Sequence, residues 1–89
     1  MIAFRITGLV QGVNFRSSTA SKAKELSLRG WVRNTADEAV EGEASGDASS
    51  LQKFRSFLQK GPPGAQVDKA DITEKSGGDD LPSPFAVRD

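Results

Sequence analysis

The chain has 89 residues, 12 basic against 12 acidic side chains, and no His, Cys or Tyr. That length fits one domain over residues 1–89 with one modest core. Missing His and Cys exclude a disulfide framework, a thiolate nucleophile, a Cys-ligated metal and any Ser-His or Cys-His catalytic pair.

Residues 2–7 alternate, with Ile2, Phe4 and Ile6 on one side, which predicts a half-buried strand. A connection bracketed by Gly8 and Gly12 follows. Phe15, Thr19, Ala23 and Leu26 then recur at helical spacing, predicting a helix over 15–28 with Asn14 as N-cap and Gly30 as its stop. Residues 31–35 and 39–44 read as two antiparallel strands around a turn at 36–38. Asp47 caps a second helix over 48–60, with Leu51, Phe54 and Leu58 on its apolar stripe, and Gly61-Pro62-Pro63-Gly64 ends it. Weak alternation over 67–73 and the run 85–88 complete the strands. The order is βαββαβ plus a short C-terminal strand. It predicts a ferredoxin-like α+β sandwich, with two helices on one face of a mainly antiparallel sheet.

The stretch Gly8-Leu9-Val10-Gln11-Gly12-Val13-Asn14-Phe15-Arg16 holds the chemistry. It joins a strand to a helix start, where backbone N–H groups lack intrahelical acceptors and can cradle an anion. Arg16 in the first turn opposes the helix dipole at a cost of roughly 0.3–1 kcal/mol, which a bound phosphate or carboxylate removes. The spacing is not the phosphate-loop signature, so the residues alone fit an ordinary strand–helix connection equally well. Asn34, before the turn, reads first as a turn-forming residue; its amide is also able to orient a water.

Two segments together resemble the signatures of the acylphosphatases. These are Gly8 to Arg16, and Gly30-Trp31-Val32-Arg33-Asn34 with Val40 and Gly46 following. The resemblance covers essentially the whole chain. It implies that the backbone N–H groups of Val10, Gln11, Gly12, Val13 and Asn14 cradle a phosphoryl group, which Arg16 binds. Asn34 would hold the attacking water, and Thr35 would support it. The implied substrates are small acyl phosphates, hydrolysed without metal or cofactor, with inorganic phosphate as product and inhibitor. The carboxylate leaving group, with a conjugate-acid pKa of about 4, needs no general acid, so the lack of His is no handicap.

One departure stands out: Glu38 occupies a turn position where the family pattern has Gly. A left-handed residue there costs roughly 1 kcal/mol unless the turn changes type, which bears on the placement of Asn34.

Other candidates carry less. Glu38, Glu41 and Glu43, with Asp79 and Asp80, could suggest a metal site, but Glu41 and Glu43 read as the solvated face of a strand and Asp79 and Asp80 as a loop, so none is expected. Ser17 and Ser18 have no visible base. Trp31 reads as a core residue beneath the site. Rival functions are a phosphate-binding module with little turnover and an RNA-binding module. RNA recognition on such a sheet needs stacked aromatics and a basic surface, and the first strand offers Ala3, Arg5 and Thr7 instead. No nucleic-acid partner, membrane segment or oligomer signal is present, and a cytoplasmic monomer is expected.

Overall fold

A computed structural model describes residues 1–10 and 14–88. The elements are β1 (Ile2–Leu9), α1 (Phe15–Glu25), β2 (Arg29–Asn34), β3 (Val40–Ser45), α2 (Ala48–Lys60), β4 (Gln66–Glu74) and β5 (Ala86–Arg88). The strands form one sheet in the order β4-β1-β3-β2-β5, antiparallel except for the parallel β2–β5 pair. Both helices pack on one face, giving the expected ferredoxin-like α+β arrangement. Among the described residues, no helix is long and apolar enough to cross a membrane.

The alternation of β1 sends Ile2, Phe4 and Ile6 into the core, each almost fully buried. Its antiparallel partner β3 contributes Val40, Gly42 and Ala44 to the same face. Gly30 and Val32 of β2 continue that face, so Trp31 and Arg33 point to the open side of the sheet. Trp31 is therefore half-exposed and not a core residue beneath the site. Strand neighbours must face opposite ways, and Val32 takes the buried phase.

Helix α2 follows its sequence signals. The Asp47 carboxylate accepts from the Ser50 amide at 2.8 Å, and Phe54 and Leu58 are fully buried. Leu51 is only half-buried but still packs against the core. Phe54 stacks edge-on with Phe4 at 5.7 Å and Phe85 at 6.0 Å between ring centroids, pinning the chain just before β5.

Helix α1 ends earlier than its periodicity suggests. The cap falls at Leu26, and Ser27 adopts a left-handed φ of 58°. The Ser27 amide donates to the Lys24 carbonyl and the Leu28 amide to the Ala23 carbonyl, a Schellman closure with Ser in the usual glycine position. This turn buries Leu28. Gly30, read above as the helix stop, instead lies within β2 at φ 146°. A Cβ there would stand 2.0 Å from the Glu43 carbonyl oxygen and 2.7 Å from the Phe85 ring, so the close approach of β3 demands glycine. Strand β4 runs longer than its weak alternation indicated because it pairs along the whole of β1, with a bulge at Thr7/Gly8.

Gly30→Ala should lower unfolding stability by roughly 2 kcal/mol or more, through overpacking against backbone that has nowhere to move. Urea unfolding of the purified variant checks this.

Candidate active site

The sheet register decides what lies near the loop after β1. Ile6 pairs with Val40, and Val40 with Asn34, so one row crosses three strands at the end of β1 from which the chain turns toward α1. Asn34 has the same phase as Gly30 and Val32, which sends its side chain to the helix side.

Val10 is buried with 1% exposure and anchors the start of the connection in the core. Gln11, Gly12 and Val13, three of the expected cradle residues, lie outside the described residues. Asn14 occupies the N-cap position, but not as a side-chain cap. It is left-handed at φ 59° and its amide makes no capping hydrogen bond. A left-handed residue followed by a helical one turns successive N–H groups toward one concave side, a geometry suited to anions. No acidic residue occupies the first turn of α1 either. Phe15 then locks the helix start into the core, its ring 6.4 Å from that of Phe57.

Arg16 is half-buried, and its Nη1 donates to the Arg88 carbonyl oxygen at 3.0 Å. Val10, Asn14, Phe15, Arg16, Ser17 and Asn34 line one pocket of about 320 Å³. The fold thus brings together the two ends of the loop, Arg16 and Asn34, although 18 positions separate the last two in sequence. The Asn34 Oδ1 is buried with no hydrogen-bond partner among the described residues. A buried acceptor left in that state costs about 1–3 kcal/mol unless solvent or ligand donates a hydrogen bond to it.

Thr35 stands outside the pocket lining and belongs to the hairpin that follows Asn34. Its hydroxyl accepts from the Ala39 amide at 2.9 Å and donates to the Asp37 carboxylate. Asp37 also pairs with Arg5 of β1. The Thr35 hydroxyl, then the Arg5 charge, hold the Asp37 carboxyl below its ordinary range. Glu38 keeps the left-handed conformation at φ 68°, so the turn retains its type and bears the strain of a side chain there. The hairpin after Asn34 is closed, with the Thr35 amide donating to the Ala39 carbonyl at 2.9 Å.

Two of the acidic side chains considered for metal binding have other partners. Glu41 pairs with Arg5 and Arg33, and Glu43 accepts from the Trp31 indole at 3.0 Å. Among the described residues, no three metal-ligating side chains converge. A second depression, about 380 Å³, lies on the open face among Arg5, Trp31, Glu41, Glu43 and Asp71. Its mixed charges offer no anion cradle. The Arg88 carbonyl is the site feature that sequence reading missed, because a backbone acceptor leaves no residue-type signal.

The family model for acylphosphatases matches residues 2–87. This chain belongs to the acylphosphatase family. It is 46% identical over 74 residues to the acylphosphatase of Acaryochloris marina, covering 83% of this chain and 80% of that protein. The match to the acylphosphatase of a Synechococcus species is 52% over 68 residues, covering 76% of this chain but only 58% of that relative. An acylphosphatase structure from Coxiella burnetii superposes with a TM-score of 0.91 at 40% identity, covering 98% of this chain and 90% of that one. Acylphosphatases hydrolyse acyl phosphates, and the chain is a hydrolase of this kind.

Two outcomes follow for the hairpin of this acylphosphatase. Glu38→Gly should raise stability by about 1 kcal/mol with turnover unchanged, as read by thermal unfolding and steady-state assay. The lowered Asp37 pKa makes its contribution full above the ordinary value of 3.8 and lost as pH falls through the lower folded value. The stability gap between the wild type and Asp37→Asn should accordingly be present at neutral pH and close well below pH 3.8, measured by thermal unfolding across that range.

Proposed function

We propose that this chain hydrolyses the carboxyl–phosphate anhydride bond of small acyl phosphates by in-line attack of a water held by Asn34. The phosphoryl group is bound by Arg16 and by backbone N–H groups of residues 10–14. The observation that carries the reading is the buried Oδ1 of Asn34, without a hydrogen-bond partner among the described residues, in the pocket that Arg16 also lines.

A water donating to that oxygen is oriented with a lone pair free for phosphorus. Arg16 supplies two kinds of help. Its charge offsets that of the phosphoryl oxygens, and its planar fork sets the group's orientation. N–H groups at the α1 start add fixed dipoles that need no reorganisation as the transition state forms. Phosphoryl transfer asks chiefly for such positioning and charge stabilisation. The bond broken joins phosphorus to the acyl oxygen, and its electron pair leaves on a stable carboxylate. The attacking water loses its proton to a phosphoryl oxygen of the substrate, in keeping with a chain that has no His. Thr35 supports Asn34 indirectly, through the hairpin it closes.

These site residues all come from one chain, so a monomer suffices for catalysis. Inorganic phosphate, sharing the phosphoryl oxygens, binds the same cradle as product and competitive inhibitor.

With benzoyl phosphate as substrate, Arg16→Ala and Asn34→Ala should each lower turnover by about 100-fold or more. Phosphate affinity separates their roles: Arg16→Ala loses it, while Asn34→Ala keeps it. Because Asn34→Ala removes an unsatisfied buried acceptor, its melting temperature should not fall. Near-wild-type turnover in both folded variants would sink the assignment.

A further inference from the structure

Arg16 carries a long, flexible side chain, and among the described residues its guanidinium donates to a backbone carbonyl at the end of a weak element. That carbonyl belongs to Arg88, the last residue of β5. Strand β5 has three residues, lies at the edge of the sheet and pairs only with β2. The buried Phe85 anchors its start, but Val87 is 47% exposed and Arg88 is exposed as well. The end of so short an edge strand frays unless something besides the ladder holds it.

The open face of the sheet supplies that hold. The Arg88 guanidinium lies over the Trp31 ring, 4.8 Å from its centroid. Trp31 is in turn fixed from two sides. Its indole N–H donates to Glu43 Oε1 at 3.0 Å, and the Arg33 guanidinium lies 5.6 Å from the ring centroid. Parallel pairing sets Arg33 beside Arg88, an arrangement of like charges that would push the strand end away. Glu41 takes up the Arg33 charge and the indole face takes up that of Arg88, so the repulsion is offset. Trp31 does not line the pocket of Arg16 and Asn34, and neither do Arg33, Glu41 or Glu43.

We propose that Trp31 and the Arg88 side chain are positioning residues for Arg16. Their stacking on the open face holds the end of β5 so that the Arg88 carbonyl keeps the Arg16 guanidinium aimed at the phosphoryl group. The guanidinium is a rigid fork of five N–H donors, so fixing one donor restricts the directions of the rest. This inference rests on Arg16 being the phosphoryl-binding residue, as set out under the proposed function.

The test measures inorganic phosphate affinity by calorimetry, together with KM and kcat for benzoyl phosphate, on the full chain. Arg88→Ala and Trp31→Leu should each weaken phosphate binding about threefold to tenfold and raise KM by a similar factor, with kcat changing less. Arg88→Lys and Trp31→Phe, which keep a cation and an aromatic face, should retain most of the affinity. The double variant Arg88→Ala with Trp31→Leu should be no worse than the poorer single one, since both remove the same contact.

A purely structural role would instead reduce the active fraction, lowering kcat while leaving KM and phosphate affinity unmoved. That result, or additive losses in the double variant, overturns the inference. Arg88→Ala changes only an exposed side chain, so the test survives even if Trp31→Leu fails to fold. Arg16→Ala separates the two levels. If it still binds phosphate and turns over, the site reading itself fails. If it loses both while the Arg88 and Trp31 variants bind like the wild type, only the positioning role fails.

Discussion

The ladder that pairs Ile6 with Val40 and Val40 with Asn34 carries the architecture of this molecule. One row of backbone pairing places the end of β2 level with Ile6, three residues before the end of β1, from which the chain turns over the sheet into α1. The side-chain period of a strand is two, so a slip of one residue in β2 would exchange its faces. Asn34 and Val32 would then turn to the open side, and Trp31 and Arg33 would be driven into the core. The large burial of Phe4, Phe54 and Phe85 against the inner face makes such a slip costly, and it is this core that keeps Asn34 beside Arg16. Packing on one face thus sets the geometry of a polar site at its edge.

That site is built against local preference in several places. Arg16 faces the positive end of α1, Asn34 buries a carbonyl oxygen that has no partner among the described residues, and Asn14 and Glu38 hold left-handed backbone. Each is unfavourable by itself, and the rest of the fold must offset them together. Under the proposed function, one ligand relieves both Arg16 and Asn34, an anion accompanied by a water. Glu38 differs, because its strain lies in the hairpin turn and no bound group can relieve it. The Thr35–Ala39 and Thr35–Asp37 hydrogen bonds and the Arg5–Asp37 pair hold that turn closed despite the strain.

The two faces of the sheet divide the labour. The inner face carries the core and, at its edge, the pocket. The open face carries a row of charges and one indole, from Asp37 through Arg5, Glu41 and Arg33 to Trp31 and Arg88. Most of these pairs are exposed and individually weak. Their arrangement still matters, because its two ends meet the hairpin after Asn34 and the strand end that receives Arg16.

Strong local signals were legible in the residues themselves. The alternation of Ile2, Phe4 and Ile6, the Asp47 cap and the stripe through Phe54 and Leu58 determined β1, α2 and the layer arrangement, because burial leaves a periodic mark on sequence. The two loop-and-strand signatures pointed to Arg16 and Asn34, and the absence of His and Cys narrowed the chemistry to binding and orientation. Tertiary structure alone decided the rest. It ended α1 at Ser27, where no glycine announces the turn, and gave Gly30 to a close strand crossing. It sent Trp31 to the open face, since a sheet covered by helices on one side only cannot bury two adjacent residues of a strand. It also set the Arg88 carbonyl against Arg16, a contact between a side chain and distant backbone. Such a contact depends on where two segments meet, and local residue patterns carry no record of that.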